Sequence, residues 1–339
     1  LHDVDLNSWH ASPLVEQARN QMADGIWPSY CSRCQTDEEQ GLTSVRSCGN
    51  QSQATFTNHD ISLELRPGAT CNFACQTCWP EASSRVVDFY QRAGLIPIKS
   101  LDSYAIRDFD WLDPIKHRIK EVVLLGGEPF YDKNCLKFLE WAVDNLTGSL
   151  FLFTNGSKID YNWIRQYKGR LVLIFSLDAV DTVAEYVRFG THWPTVLENF
   201  QLCRNLPNIE LRVNITVSVY NYLYLEPLID LLIADWPSVV SFGYPVDKIW
   251  MRQSSVPLIY RASMIQSLQR AIEKIMGAHM PLDQRQNALA NIKSTMQSLE
   301  DEDFDAVNHQ SLKDFIISMD RVKNISFEKH CPELYKMLF

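Results

Sequence analysis

Ile61-Ser-Leu-Glu-Leu-Arg66 leads through Pro67 and Gly68 into Ala69-Thr-Cys71-Asn-Phe-Ala-Cys75-Gln-Thr-Cys78-Trp-Pro80. The first half alternates polar and apolar residues as a short β-strand does, and the second sets a CxxxCxxC triad at that strand's exit. Soft thiolate ligands suit zinc and iron–sulfur clusters. Three of them this close can wrap one side of a cubane and leave its fourth iron without a protein ligand. The other reading of the triad is three quarters of a structural zinc site whose fourth ligand lies elsewhere.

Further along, Glu121-Val-Val-Leu-Leu-Gly126-Gly127-Glu128-Pro129-Phe130 is an apolar run that ends in two glycines, a carboxylate and a proline. Glycines after a buried strand let the backbone approach a ligand closely, and Glu128 and the local carbonyls can accept bonds from an ammonium group. Alone, this is an ordinary strand-to-helix turn. In this order after the triad, the two segments resemble the radical S-adenosylmethionine (SAM) superfamily, with its CxxxCxxC and GGEP elements.

The resemblance implies a [4Fe-4S] cluster on Cys71, Cys75 and Cys78, with its free iron chelating the amino and carboxylate groups of SAM. It further implies a reductant such as flavodoxin or ferredoxin, whose electron would break the sulfonium–C5′ bond to give methionine and a 5′-deoxyadenosyl radical that takes a substrate hydrogen. The residue before the third family cysteine is often aromatic, and here it is Thr77. Phe73 and Trp79 are the nearby rings for stacking on adenine or shielding the cluster.

Working outward, apolar runs at 61–66, 121–125, 149–153, 171–176, 209–217 and 239–244 read as strands. Helical spacing at 81–93, 132–146, 160–168, 193–205 and 222–235 alternates with them, which predicts an α/β fold with a parallel sheet. The count matches the partial (β/α)6 TIM-like barrel that the resemblance implies, with its active face at the strand carboxyl ends. Amphipathic stretches at 258–278, 282–299 and 309–323 predict a C-terminal helical cap. The expected division is an N-terminal cysteine-containing segment at 1–58, the barrel at 59–246 and the helical region at 247–339.

Polar residues close the later strands. Thr154, Asn155 and Gly156 end the third, and Ser176 and Asp178 end the fourth on one face. Asn214 and Thr216 lie on one face of the fifth. The resemblance assigns Ser176 and Asp178 to SAM contacts, beside Gly126, Gly127, Glu128 and Pro129, while Asn155, otherwise part of a plain turn, and Asn214, on the face that reaches the barrel interior, are candidates by their positions. Arg188 matches the family's arginine for the SAM carboxylate, a group that a guanidinium grips by two parallel bonds. Tyr244 and Pro245 stand at the sixth strand end, where they either frame adenine or pack.

Trp27-Pro-Ser-Tyr-Cys31-Ser-Arg-Cys34 follows a helical pattern that stops at Gly25 and Pro28, with Cys48 beyond. This segment resembles the twitch or SPASM auxiliary-cluster modules of radical SAM enzymes. It makes Cys31, Cys34 and Cys48 candidates for a second iron–sulfur cluster or a zinc ion. Cys135 and Cys203 sit in apolar helical patterns as small hydrophobes.

The chain has 339 residues and a formal net charge of −9, so no global field draws nucleic acid or an anionic membrane. No apolar stretch reaches the roughly 20 residues a bilayer requires, and there is no signal-like start, so the chain reads as cytoplasmic. Its 9 cysteines, three tightly grouped, fit a reducing compartment better than a disulfide framework. The chain opens at Leu1 rather than Met, which leaves room for residues upstream. The histidines offer no HExxH or Ser-His-Asp pattern to anchor a hydrolase. The auxiliary-like segment favours a peptide or protein side chain as substrate, with a small metabolite as the alternative. The rival from another class is a non-catalytic iron–sulfur or zinc protein on a degenerate barrel.

Overall fold

The computed structural model describes residues 12–39, 60–95, 105–234, 236–245 and 248–339. The chain divides into two compact units, Leu1–Asp60 and Ile61–Phe339.

In the first unit, α1 (Pro13–Ala23) starts where Ser12 accepts a bond from the Val15 amide and Pro13 takes the first helical position. The chain turns at Gly25 with φ +74°. A 3-10 turn (Ser29–Cys31) then runs into α2 (Ser32–Glu39). Cys48 lies outside the described residues.

The second unit is built on one sheet of six parallel strands in sequence order, with β1 and β6 as its edges. They are β1 (Ile61–Leu65), β2 (Ile119–Leu124), β3 (Ser149–Thr154), β4 (Arg170–Ser176), β5 (Ile209–Thr216) and β6 (Val239–Gly243). The six expected strands are all present, and the sheet is unclosed. Between them run α3 (Ser84–Ala93), α4 (Lys133–Asn145), α5 (Tyr161–Gln166), α6 (Asp181–Val187), α7 (Trp193–Arg204) and α8 (Leu225–Ile233).

One face of the sheet is fully buried through Leu124, Leu150, Leu152, Leu173, Val213 and Ile215. The other carries Ser62, Glu64, Ser176, Arg212, Asn214 and Ser241, half-buried or exposed, around the buried Val172 and Ile174.

The helical C-terminal part belongs to the same compact unit as the sheet. It comprises α9 (Leu258–Gly277), α10 (Leu282–Asp301), α11 (Ala306–Lys323), α12 (Phe327–His330) and α13 (Pro332–Leu338). Among the described residues, no helix is long and apolar enough to cross a membrane.

Element limits depart from the sequence reading where side chains cap the ends. Helix α3 begins at Ser84 rather than 81 because Pro80–Ala82 forms a 3-10 turn and Ser83 caps the Val86 amide. Helix α11 begins at Ala306 rather than 309 because Asp305 accepts bonds from the amides of Val307 and Asn308. Helix α8 begins at Leu225 rather than 222, since Tyr220, Asn221 and Tyr222 are buried in the turn before it. The short α6 carries no helical signal of its own length.

Candidate functional site

The triad occupies a loop between β1 and α3, at the carboxyl edge of the sheet. Backbone bonds fix it to the end of α6 and the segment that follows, with the Ala74 amide donating to the Phe189 carbonyl at 2.8 Å and the Gln76 amide to the Val187 carbonyl at 2.7 Å. The hydroxyl of Ser83, the cap of α3, donates to the Phe73 carbonyl at 2.9 Å. Phe73 is buried beneath the loop, whereas Trp79 is 39% exposed. Cys75 is buried and Cys71 and Cys78 are half-buried, all three as free thiols.

Gly126 and Gly127 do something the sequence reading did not foresee. A Cβ on Gly126, whose φ is +130°, would overlap the Gly68 carbonyl, and one on Gly127 would overlap the Thr70 carbonyl. The glycines let the end of β2 lie directly against the segment that enters the cysteine loop. The amide of Glu128 completes the join by donating to the Thr70 carbonyl at 3.0 Å.

The Glu128 carboxylate, expected to meet an ammonium group, is buried and already engaged by the protein. It accepts from the Thr154 hydroxyl at 2.7 Å, the Asn155 amide at 2.7 Å and the Phe130 amide at 3.5 Å. Burial pushes its pKa up to about 7, against the downward pull of these bonds. Glu128 thus ties the end of β2 to that of β3.

Asn155, on the far side of this tie, reaches the triad. Its Nδ2 lies 3.9 Å from the Cys71 sulfur and donates to Asn72 Oδ1 at 2.9 Å. Its Oδ1 accepts from the Ser157 amide at 2.9 Å.

At the end of β4, Asp178 is wholly buried, accepting from Arg188 at 2.9 Å and from the Thr216 amide at 2.7 Å. Arg188 is therefore in an internal ion pair, not a solvent-exposed one. Its Nε is buried and has no hydrogen-bond partner among the described residues. Its charge acts on Cys75 and Cys78, which places it beside the loop.

Ser176, Asn214 and Ser241 are paired neighbours across β4, β5 and β6, and the Ser241 hydroxyl donates to Asn214 Oδ1 at 3.1 Å. They form a polar row near the carboxyl ends of these strands. Tyr244 packs instead, its hydroxyl bonded to Thr295 of α10 at 2.8 Å.

The loop residues fit an anionic iron–sulfur group. Burial raises all three thiols, Cys71 to about 12 and Cys78 to about 11, so unligated they stay protonated near neutrality. Coordination would deprotonate them, and Arg188 and two buried lysines, Lys248 and Lys323, stand by to balance the resulting charge.

Sequence reasoning missed the two lysines, which donate to carbonyls of the cysteine loop from remote parts of the chain. In the N-terminal unit, Cys31 and Cys34 are both half-buried and stand three residues apart on continuous helical backbone, hence on one face.

No family model and no curated relative matches the chain. Solved structures with a similar course of the backbone include native anSMEcpe with bound AdoMet, at 18% identity and a TM-score of 0.44 over 63% of this chain and 61% of that one. Another is SuiB of Streptococcus suis bound to the precursor peptide SuiA, at 13% identity and a TM-score of 0.41 over 74% of this chain and 60% of that one. A third is TYW1 with a lysine-pyruvate adduct bound, at 15% identity and a TM-score of 0.38 over 75% and 86%. The chain spans about three fifths of the length of the first two. At identities and TM-scores this low the likeness carries no weight for function, which rests on the chain's own residues.

Proposed function

We propose that this chain is a radical SAM enzyme that reductively cleaves SAM at a [4Fe-4S] cluster held by Cys71, Cys75 and Cys78, and that it modifies a peptide or protein side chain. The reading rests on one convergence at the strand carboxyl ends. A loop bearing three thiols packs against the turn Gly126–Pro129, is touched by Asn155 and lies beside Arg188, whose buried Nε has no partner among the described residues.

When bound, the cluster and SAM supply one-electron cleavage and hydrogen abstraction, and the chain's own residues bind, orient and exclude water. The cysteines bind the cluster. Asn155 orients Cys71 and offers its sulfur a weak hydrogen bond, one of the means by which proteins tune such clusters. Phe73 keeps water from the underside of the loop. Asp178 holds Arg188 in place, leaving Nε as a donor for an anionic group of the cofactor. The row Ser176, Asn214 and Ser241 supplies hydroxyl and amide groups for the cofactor's polar atoms.

The substrate class is supported by the N-terminal segment. Cys31 and Cys34 share a helical face and, with Cys48, are read as ligands of a second cluster in a twitch- or SPASM-like module. Anaerobic reconstitution, followed by iron and sulfide analysis and a dithionite-driven assay for 5′-deoxyadenosine, tests the proposal. The expected result is at least about four iron and four sulfide per chain together with 5′-deoxyadenosine formation, and iron beyond one cubane would mark the second cluster. Cluster uptake with no SAM cleavage would instead establish a binding protein.

A further inference from the structure

Two buried ammonium groups bracket the cysteine loop from segments that carry no motif. Lys248, in the segment after β6, donates to the carbonyls of Gln76 at 2.7 Å and Cys78 at 2.6 Å. Lys323, the last residue of α11, donates to the Ala74 carbonyl and to Oε1 of Gln76, both at 2.9 Å. Together they hold residues 74, 76 and 78, on either side of Cys75.

Aromatic rings flank both ammonium groups. Lys248 Nζ lies 5.1 Å from the Tyr90 ring centre and 5.4 Å from that of Phe315. Lys323 Nζ lies 5.8 Å from Phe89 and 5.4 Å from Phe189. Among the described residues, neither lysine makes an ion pair. Asp320 lies near Lys323, but its carboxylate accepts from the Tyr186 hydroxyl at 2.8 Å and the Phe327 amide at 2.6 Å.

Carbonyl groups do not require an ammonium, since any neutral donor satisfies them without burying a charge. Two amines placed together without carboxylate partners keep their charge only beside an anion. Beside them, the Cys75 sulfur, whose charge acts on both lysines, and the Cys78 sulfur, whose charge acts on Lys248, can become anionic.

We infer that Lys248 and Lys323 are the counter-charges of the iron–sulfur cluster on Cys71, Cys75 and Cys78, and that they raise its reduction potential. This rests on the function proposed above. A positive charge close to the cluster stabilises the state that has gained an electron. The C-terminal helical part thereby contributes to the redox centre through α11.

The test is an EPR-monitored redox titration of anaerobically reconstituted wild type, Lys248→Gln, Lys323→Gln, Lys248→Arg and Lys323→Arg. Glutamine keeps a donor for the carbonyls and removes the charge, whereas arginine keeps the charge. Each glutamine variant is expected to disfavour reduction about tenfold, a fall in midpoint of about 59 mV for one electron, and each arginine variant to stay near wild type. Cluster lost with glutamine and kept with arginine also supports the inference. Loaded glutamine variants with the wild-type midpoint, or cluster lost equally with both substitutions, would overturn it in favour of a packing role. A wild type that takes up no cubane is a distinct result that overturns the proposed function as well.

Discussion

Cys75→Ala is expected to reduce bound iron and sulfide to below about a tenth of wild type and to abolish 5′-deoxyadenosine formation, with little change in the melting temperature of the cluster-free protein. The asymmetry follows from how the loop is held. Its backbone is pinned on both sides of Cys75 by bonds to Phe189 and Val187, and its carbonyls are held by Lys248 and Lys323. None of these bonds involves the Cys75 sulfur. Removing that sulfur takes away a ligand from the middle of the triad without releasing the loop. Iron analysis and a thermal melt of the same sample separate the two effects.

Asp178→Ala should have the largest effect on stability. The carboxylate is wholly buried and bonds Arg188 and the Thr216 amide. Its loss leaves a buried guanidinium without its counter-ion, which costs about 3–5 kcal/mol. The double variant Asp178→Ala with Arg188→Met should recover most of that loss, because a matched apolar pair avoids the uncompensated charge. Urea unfolding of the two variants measures this. Equal destabilisation in both would show that the ion pair is not the source.

The strands were legible because each is a short apolar run followed by a glycine or a polar strand end, and the parallel sheet followed from the helical spacing between them. The triad and Gly126–Pro129 were legible because each is a local pattern. What those residues do was less so. Glu128 looked like a ligand acceptor, yet its oxygens face Thr154 and Asn155, residues of the next strand end that only the β2–β3 register brings near. Arg188 was read as a partner for the SAM carboxylate, and its pairing with Asp178 depends on the turn that follows β4.

Lys248 and Lys323 were invisible in the sequence. Each is a single lysine in unremarkable surroundings, and its meaning arises from contacts with Gln76 and its neighbours across most of the chain. Local signals place caps and strands, but a charge buried against a distant loop leaves no mark in the spacing of residues around it. The limits of α3 and α11 show the converse. Ser83 and Asp305 are local capping signals, and they correct both helix starts.

The most direct test of the central claim is the EPR spectrum of the dithionite-reduced, anaerobically reconstituted protein with and without SAM. A cubane held by Cys71, Cys75 and Cys78 with one iron open to the cofactor predicts a reduced-cluster signal whose g-values shift when SAM is added. A signal that SAM leaves unchanged, or tightly bound zinc in place of iron in anaerobically purified protein, would contradict it.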